Sequence, residues 1–202
     1  MTKRIILAAL AAGLVPSVAL AQTIAPVAIA PKDELVRVRI ETSAGEIVVA
    51  LDRGRAPLSV ANFLAYVDGK KLDGEAFYRA MPYGDGGLIQ GGITSDARKL
   101  RKPVAHEPTS TTGLKNVAGA LVMARLDPGS AQSDFFILTT DIAQFDASTT
   151  DPGFAVFGRV IEGMDVVKAI FAAPRSATKG LGAMKGQMLE PQVRIVKTTR
   201  VE

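Results

Sequence analysis

Residues Gly119 to Ile137 read Gly-Ala-Leu-Val-Met-Ala-Arg-Leu-Asp-Pro-Gly-Ser-Ala-Gln-Ser-Asp-Phe-Phe-Ile, and the fold turns on this stretch. An apolar run from Leu121 to Ala124 meets Arg125, passes a turn at Pro128 and Gly129, and gives way to a second apolar run led by Phe135 and Phe136. The pattern predicts two strands flanking a polar loop of small residues. Such a unit offers a binding edge, and the remaining segments must supply what closes around it.

Upstream, Val36, Val38 and Ile40 alternate with Arg37, Arg39 and Glu41, and Ser43-Ala44-Gly45-Glu46 leads into the apolar run Ile47 to Leu51. This is a β-hairpin with one wet face. Pro57 suits the first turn of a helix, where its missing N–H would be unpaired anyway. Val60, Phe63, Leu64 and Val67 then follow at helical spacing up to Gly69. Ala76 to Met81 and Leu88 to Gln90 are short strand candidates separated by Pro82 to Gly87. The run Arg98, Lys99, Arg101, Lys102 ends at Pro103 and has no aromatic residues among its charges, as expected of a solvated loop rather than a phosphate site. Pro108 to Gly113 reads as a Ser/Thr loop.

Downstream, Phe154 to Ile161 is a strand candidate, and Gly163 opens a helix with Met164, Val167, Ile170 and Phe171 on one side. Thr178 to Gly186 reads as a flexible Gly-rich loop, and Val193 to Val201 as a closing strand. Many short strands with two helices favour an antiparallel barrel or sandwich over alternating βαβ units.

The first 21 residues have the layout of a secretory signal peptide. Lys3 and Arg4 form a basic start, an apolar run from Ile5 to Leu20 contains Pro16, and Ala19-Leu20-Ala21 is a small-x-small ending, so cleavage is expected before Gln22. A membrane anchor is the competing reading, but the run is interrupted and falls short of the roughly 20 residues that span a bilayer. Residues 22–34 read as a mobile linker and 35–202 as one domain, expected in the periplasm or secreted, with no stable membrane insertion after cleavage. Without Lys3 and Arg4 the 24 basic residues fall to 22 against 20 acidic ones, too even a balance to argue for a nucleic-acid partner. The chain has no cysteine, so it carries no disulfide, thiolate site or thiol nucleophile.

Several chemistries drop out on composition. The one histidine, His106, has no second histidine to share a metal with, so no metal site is expected. A Ser-His-Asp triad would have to use it with Ser130 or Ser133, and no nucleophile elbow is present. Gly84, Gly86 and Gly87 precede a strand-like run rather than a helix, which denies them the helix N-terminus of a phosphate loop.

What remains is a set of polar residues inside apolar runs: Arg79 in Phe-Tyr-Arg-Ala-Met, Gln90 in Leu-Ile-Gln-Gly-Gly, and Arg125 and Asp134 in the decisive stretch. Such an arginine is either a surface partner for a carboxylate or a site residue. Phe136, taken alone, reads as a core residue.

The segments Ala76 to Arg79, Gln90-Gly91-Gly92, Met123-Ala124-Arg125, Ser130 to Ile137, Phe154 to Val160 and Glu162 to Asp165 occur in an order and spacing that resembles the cyclophilin family of peptidyl-prolyl cis-trans isomerases. Gly45, Ala56-Pro57 and Asn62-Phe63 extend the resemblance. It implies a mainly β fold, an eight-stranded antiparallel barrel capped by two α-helices, with no cofactor and a monomeric state.

The resemblance makes Arg79 and Gln90 the catalytic pair: Arg79 as the donor to the twisted prolyl amide, Gln90 as the residue that holds the substrate or the arginine. Ala124 and Arg125 fall where the peptide backbone is gripped, and Phe136 at the floor of the proline pocket. Phe145 or Phe154 would form its far wall. Leu88, Asp134 and Tyr83 complete the expected substrate contacts. The chain departs from the pattern at Gly87-Leu88, where Phe-Met is usual, leaving Tyr83 as the expected replacement for the missing aromatic wall. It departs again in an interval between Arg79 and Gln90 about three residues longer than usual, so Tyr83 to Gly87 is expected to reshape the rim. Asp134 stands where Gln or Glu is usual and is expected to pair with Arg79 or another cation. The expected partners are proline-containing polypeptides, and the expected role is folding of exported proteins. A non-catalytic proline-peptide-binding or holdase module on the same barrel is the alternative.

Overall fold

A computed structural model describes residues 34–202. The signal peptide expected at 1–21 and the expected linker up to residue 33 lie outside the described residues. The chain runs β1 (Leu35–Thr42), β2 (Gly45–Asp52), α1 (Pro57–Asp68), β3 (Ala76–Tyr83), β4 (Gly86–Gly92), α2 (Thr109–Thr112), β5 (Ala120–Met123), β6 (Phe135–Leu138), β7 (Val156–Glu162), α3 (Met164–Ala172) and β8 (Met188–Val201). The strands close into an antiparallel barrel in the order β1-β2-β7-β5-β6-β4-β3-β8. Closure leaves no sheet edge unpaired.

The barrel is filled by a cluster that draws Val38, Ile40, Ile47 and Leu51 from the first hairpin, Phe77 and Ile89 from the second, and Phe135 and Ile137 from β6. α1 packs against β2, β7 and β8, and α3 against β2, β3 and β4; they send Phe63 and Val67, and Val167 and Ile170, into this cluster. Three rings meet there: Phe135 stands edge-on to Phe63 at 5.2 Å and to Phe77 at 5.6 Å. A second cluster, with Leu88, Val122, Phe136, Leu138 and Val156, lies on the other face of the same strands. β6 is therefore buried on both faces, with Phe135 and Ile137 on one side and Phe136 and Leu138 on the other, as period-two geometry requires.

α1 begins without a side-chain cap of its own. Glu107, forty-nine residues from Leu58 in sequence, accepts from the backbone N–H groups of Leu58 (3.0 Å) and Ser59 (2.8 Å), placing a carboxylate at the positive end of the helix. The same helix reaches back toward the decisive stretch through Asn62, whose amide donates to the carbonyl of Gln132 at 2.6 Å.

Three segments differ from the expectations above. β3 and β4 run on through Tyr83 and from Gly86, joined by the two-residue turn Gly84-Asp85, so the added residues lengthen a hairpin instead of forming a loop. Pro108 to Gly113 contains one helical turn, started after Pro108 and ended by Gly113, a residue pairing that flanks helices naturally. β8 starts at Met188, five residues early, because Pro191 within it masks the strand pattern.

Candidate active site

The site is a groove of about 770 Å³ on the outer face of the barrel, lined by residues from β3, β4, the β5–β6 stretch, the segment before β7 and the loop before β8. Its polar wall depends on an irregularity. Phe77 pairs with Gly91 and Arg79 with Gln90, so Tyr78 is an extra residue on β3; the pairing with β8 jumps at the same place, from Val193 to Met188. A bulge of this kind re-aims side chains. Phe77 stays in the core, while Tyr78 and Arg79 both face the groove.

These residues form one hydrogen-bonded line. Arg79 Nε donates to Gln187 Oε1 at 2.8 Å and Arg79 Nη1 to Gln90 Oε1 at 2.9 Å. Gln90 Nε2 donates to Tyr78 Oη at 2.6 Å, and Tyr78 Oη donates to Asp134 Oδ2 at 2.5 Å. Ser133 Oγ donates to the other carboxylate oxygen at 3.0 Å. Burial lowers the pKa of the Arg79 guanidinium from its ordinary value, yet an arginine stays cationic at neutral pH. Burial, followed by the negative charge of Asp134, pushes the Tyr78 phenol well above its usual range, so it keeps its proton.

The apolar end is a trio of rings. Phe136 lies 5.8 Å from Phe145 and 5.5 Å from Phe154, and those two are 4.8 Å apart. Leu88 and Met81, cross-strand partners in the hairpin, continue the apolar surface toward Arg79. Phe145 and Phe154 come together because the backbone folds back at Gly153, which has φ +66°; a Cβ there would sit 2.4 Å from the Phe145 carbonyl oxygen. Asp146 fastens this segment by accepting from Asn116 N (2.9 Å) and Nδ2 (3.0 Å).

The Arg125 side chain turns toward the aromatic end of the groove. Its guanidinium donates to the Gly153 carbonyl and to Leu126 O, pairs with Asp151 at 3.3 Å, and lies over the Phe154 ring at 4.8 Å. The side chain braces the aromatic wall, which leaves the backbone of Ala124 and Arg125 along the groove.

Arg79, Gln90, Leu88, Ala124, Arg125, Asp134, Phe136, Phe145 and Phe154 all line this groove. Tyr83 does not: it ends β3, two residues past Met81, and is more than a third exposed. The missing aromatic has another explanation, since a Cβ on Gly87 would meet Met81 O at 1.9 Å and the Phe171 ring at 2.8 Å. Among the described residues Asp134 pairs with no cation, being held by two hydroxyls. His106 contacts the Pro152 carbonyl at 3.1 Å, next to the braced wall. Sequence reasoning missed Tyr78, because strict alternation after Phe77 assigns one outward position and the bulge supplies two. It also missed Gln187, which lies 108 residues from Arg79 with no local pattern to mark it.

The sequence profile of one family, described as cyclophilin type peptidyl-prolyl cis-trans isomerase/CLD, matches residues 37–200. The chain is 40% identical over 143 residues to the peptidyl-prolyl cis-trans isomerase of Acinetobacter baylyi, covering 69% of this chain and 73% of that one. It is 42% identical over 137 residues to peptidyl-prolyl cis-trans isomerase A of Dickeya dadantii, covering 66% and 70%. Among solved structures, a cyclophilin type isomerase of Cryptosporidium parvum superposes with a TM-score of 0.68 at 21% identity, over 83% of this chain and 98% of that one. The structure of that protein in the presence of the dipeptide Ala-Pro gives 0.67 at 22%, over 82% and 99%.

Proposed function

The chain belongs to the cyclophilin family and is a peptidyl-prolyl cis-trans isomerase; from that premise we propose that catalysis runs through Arg79 and that the natural substrates are exported proteins still folding. The observation that carries the mechanism is the state of Arg79. Its Nε and Nη1 are held by two side-chain carbonyls, and Nη2 has no hydrogen bond among the described residues. One nitrogen of a fixed cation is thus left to meet a peptide, in the same groove as the apolar trio of Phe136, Phe145 and Phe154.

Rotation about an X-Pro bond breaks no bond; it is slow, tens to hundreds of seconds uncatalysed, because the amide is conjugated. As the bond twists, the prolyl nitrogen becomes pyramidal and regains a lone pair. A donor aimed at that lone pair stabilises the twisted state and not the planar one, which is the requirement for acceleration. Phe136, Phe145, Phe154 and Leu88 would hold the ring still while the backbone of Ala124 and Arg125 grips one flank, so that the other flank turns. Because no proton moves and no redox step occurs, the chemistry calls for no cofactor.

The export reading rests on the leader pattern at 1–21. It predicts a periplasmic or secreted protein whose N-terminus is Gln22, read by terminal sequencing of the protein from its own cell; an intact Met1 in membrane fractions would contradict it. The folding role is tested with a denatured protein whose refolding is limited by proline isomerisation. The expected result is a faster refolding phase at substoichiometric enzyme. Suppressed aggregation with an unchanged rate would mark the holdase alternative.

Arg125→Ala tests the bracing role. Losing the contacts to Gly153, Asp151 and the Phe154 face should raise KM about 3- to 10-fold and change kcat less, since these contacts act on ring binding. Steady-state kinetics on a proline peptide read the split.

A further inference from the structure

We propose that Tyr78 and Asp134 are positioning residues that set the direction of the Gln90 amide and through it the aim of Arg79. The proposal rests on the reading of Arg79 as the donor and adds two residues that touch neither the prolyl bond nor the ring.

An ionised carboxylate has only acceptors. Asp134 therefore forces the Tyr78 hydroxyl to donate to it, at 2.5 Å, and leaves the phenol oxygen a lone pair to offer Gln90. That lone pair accepts from Gln90 Nε2 at 2.6 Å, and the amide, once its NH2 is committed there, must turn its carbonyl to Arg79 at 2.9 Å. A glutamine left to itself has two orientations of nearly equal shape. In the wrong one its NH2 would face the guanidinium, donor against donor, and Nη1 would lose its partner. Gln187 fixes Nε from the other side but does nothing to fix Gln90.

The local structure is built for this line. The bulge puts Tyr78 beside Arg79 instead of in the core, and Gly92 leaves the space that Asp134 fills: a Cβ on Gly92 would fall 2.1 Å from Asp134 Oδ1. Ser133, itself buried, satisfies that second oxygen at 3.0 Å and accepts from the N–H of Ile93, the residue that follows β4, at 3.3 Å. Tyr78 is 7% exposed, and its hydroxyl is engaged by both Asp134 and Gln90.

The test is a double-mutant cycle on kcat with Tyr78→Phe and Asp134→Asn. Each single variant is expected to lower kcat about 5- to 10-fold with KM changed less than about 2-fold, as loss of one orienting hydrogen bond would give. The double variant should be no slower than the worse single one, because both act in series through Gln90. The side-chain Nε–H resonance of Arg79 should shift or broaden in both. Multiplicative losses in the double variant, losses confined to KM, or an unmoved Arg79 resonance would overturn the proposal. On the unaltered protein, a slowly exchanging far-downfield hydroxyl proton on Tyr78 is expected, and a freely exchanging one would also contradict it. If Arg79→Ala retains full activity, the underlying mechanism has failed; if Arg79→Ala is inactive while the cycle is multiplicative, only the positioning role has.

Discussion

Arg79→Ala is expected to lower kcat/KM for a proline peptide about 100-fold or more, in the range seen when one preorganised donor to a developing charge is removed, while the protein keeps its fold. The size follows from how the side chain is held. Its two fixed nitrogens make the third a donor already in place, so no reorganisation is needed as the amide twists. The fold survives because Arg79 faces the groove, whereas Phe77 and Ala80 on the same strand face the core. Lysine at this position keeps the charge but not the fork that Gln90 and Gln187 hold, so Arg79→Lys should recover only a small part of the rate. Circular dichroism and a thermal melt alongside the kinetics separate lost catalysis from lost structure.

The second large effect falls on stability. Phe135→Ala should cost about 3–5 kcal/mol, because it removes a fully buried ring that stands edge-on to both Phe63 and Phe77 and leaves a cavity at the barrel's centre. Its neighbour gives the opposite profile. Phe136→Ala opens onto the groove, so its stability loss should be the smaller of the two while kcat/KM falls with the loss of the ring floor. Denaturant melts of the pair, read with their kinetics, check whether the two faces of β6 divide core from site. Equal melts with equal activities would contradict that division.

Much of this was legible in the chain itself. The two strands around the polar loop, the Pro57 helix start and the alternation of the first hairpin follow from residue patterns a few positions long. The groove residues, by contrast, were legible only as a set, through the resemblance; taken singly, Phe136 reads as core, and Arg79 as either a surface partner or a site residue. What could not be read has specific causes. Tyr78 enters the site by a bulge, and one unpaired residue leaves no trace in a two-residue period. Gln187 and Glu107 act across 108 and 49 positions, where no local pattern connects them to Arg79 or to Leu58. Tyr83 falls outside the groove because the extra residues form strand and not a rim loop. As strand, they carry it past the groove, and Phe171 stands over the glycine that replaces the usual aromatic.

The central claim, that this groove lowers the barrier to prolyl rotation through Arg79, is tested most directly by exchange NMR on an Ala-Pro-containing peptide with substoichiometric protein. The account predicts cis–trans exchange peaks at mixing times where the peptide alone shows none, and their disappearance with Arg79→Ala while the groove resonances of Phe136 and Phe154 still shift on peptide addition. Exchange peaks of undiminished strength in Arg79→Ala would contradict it.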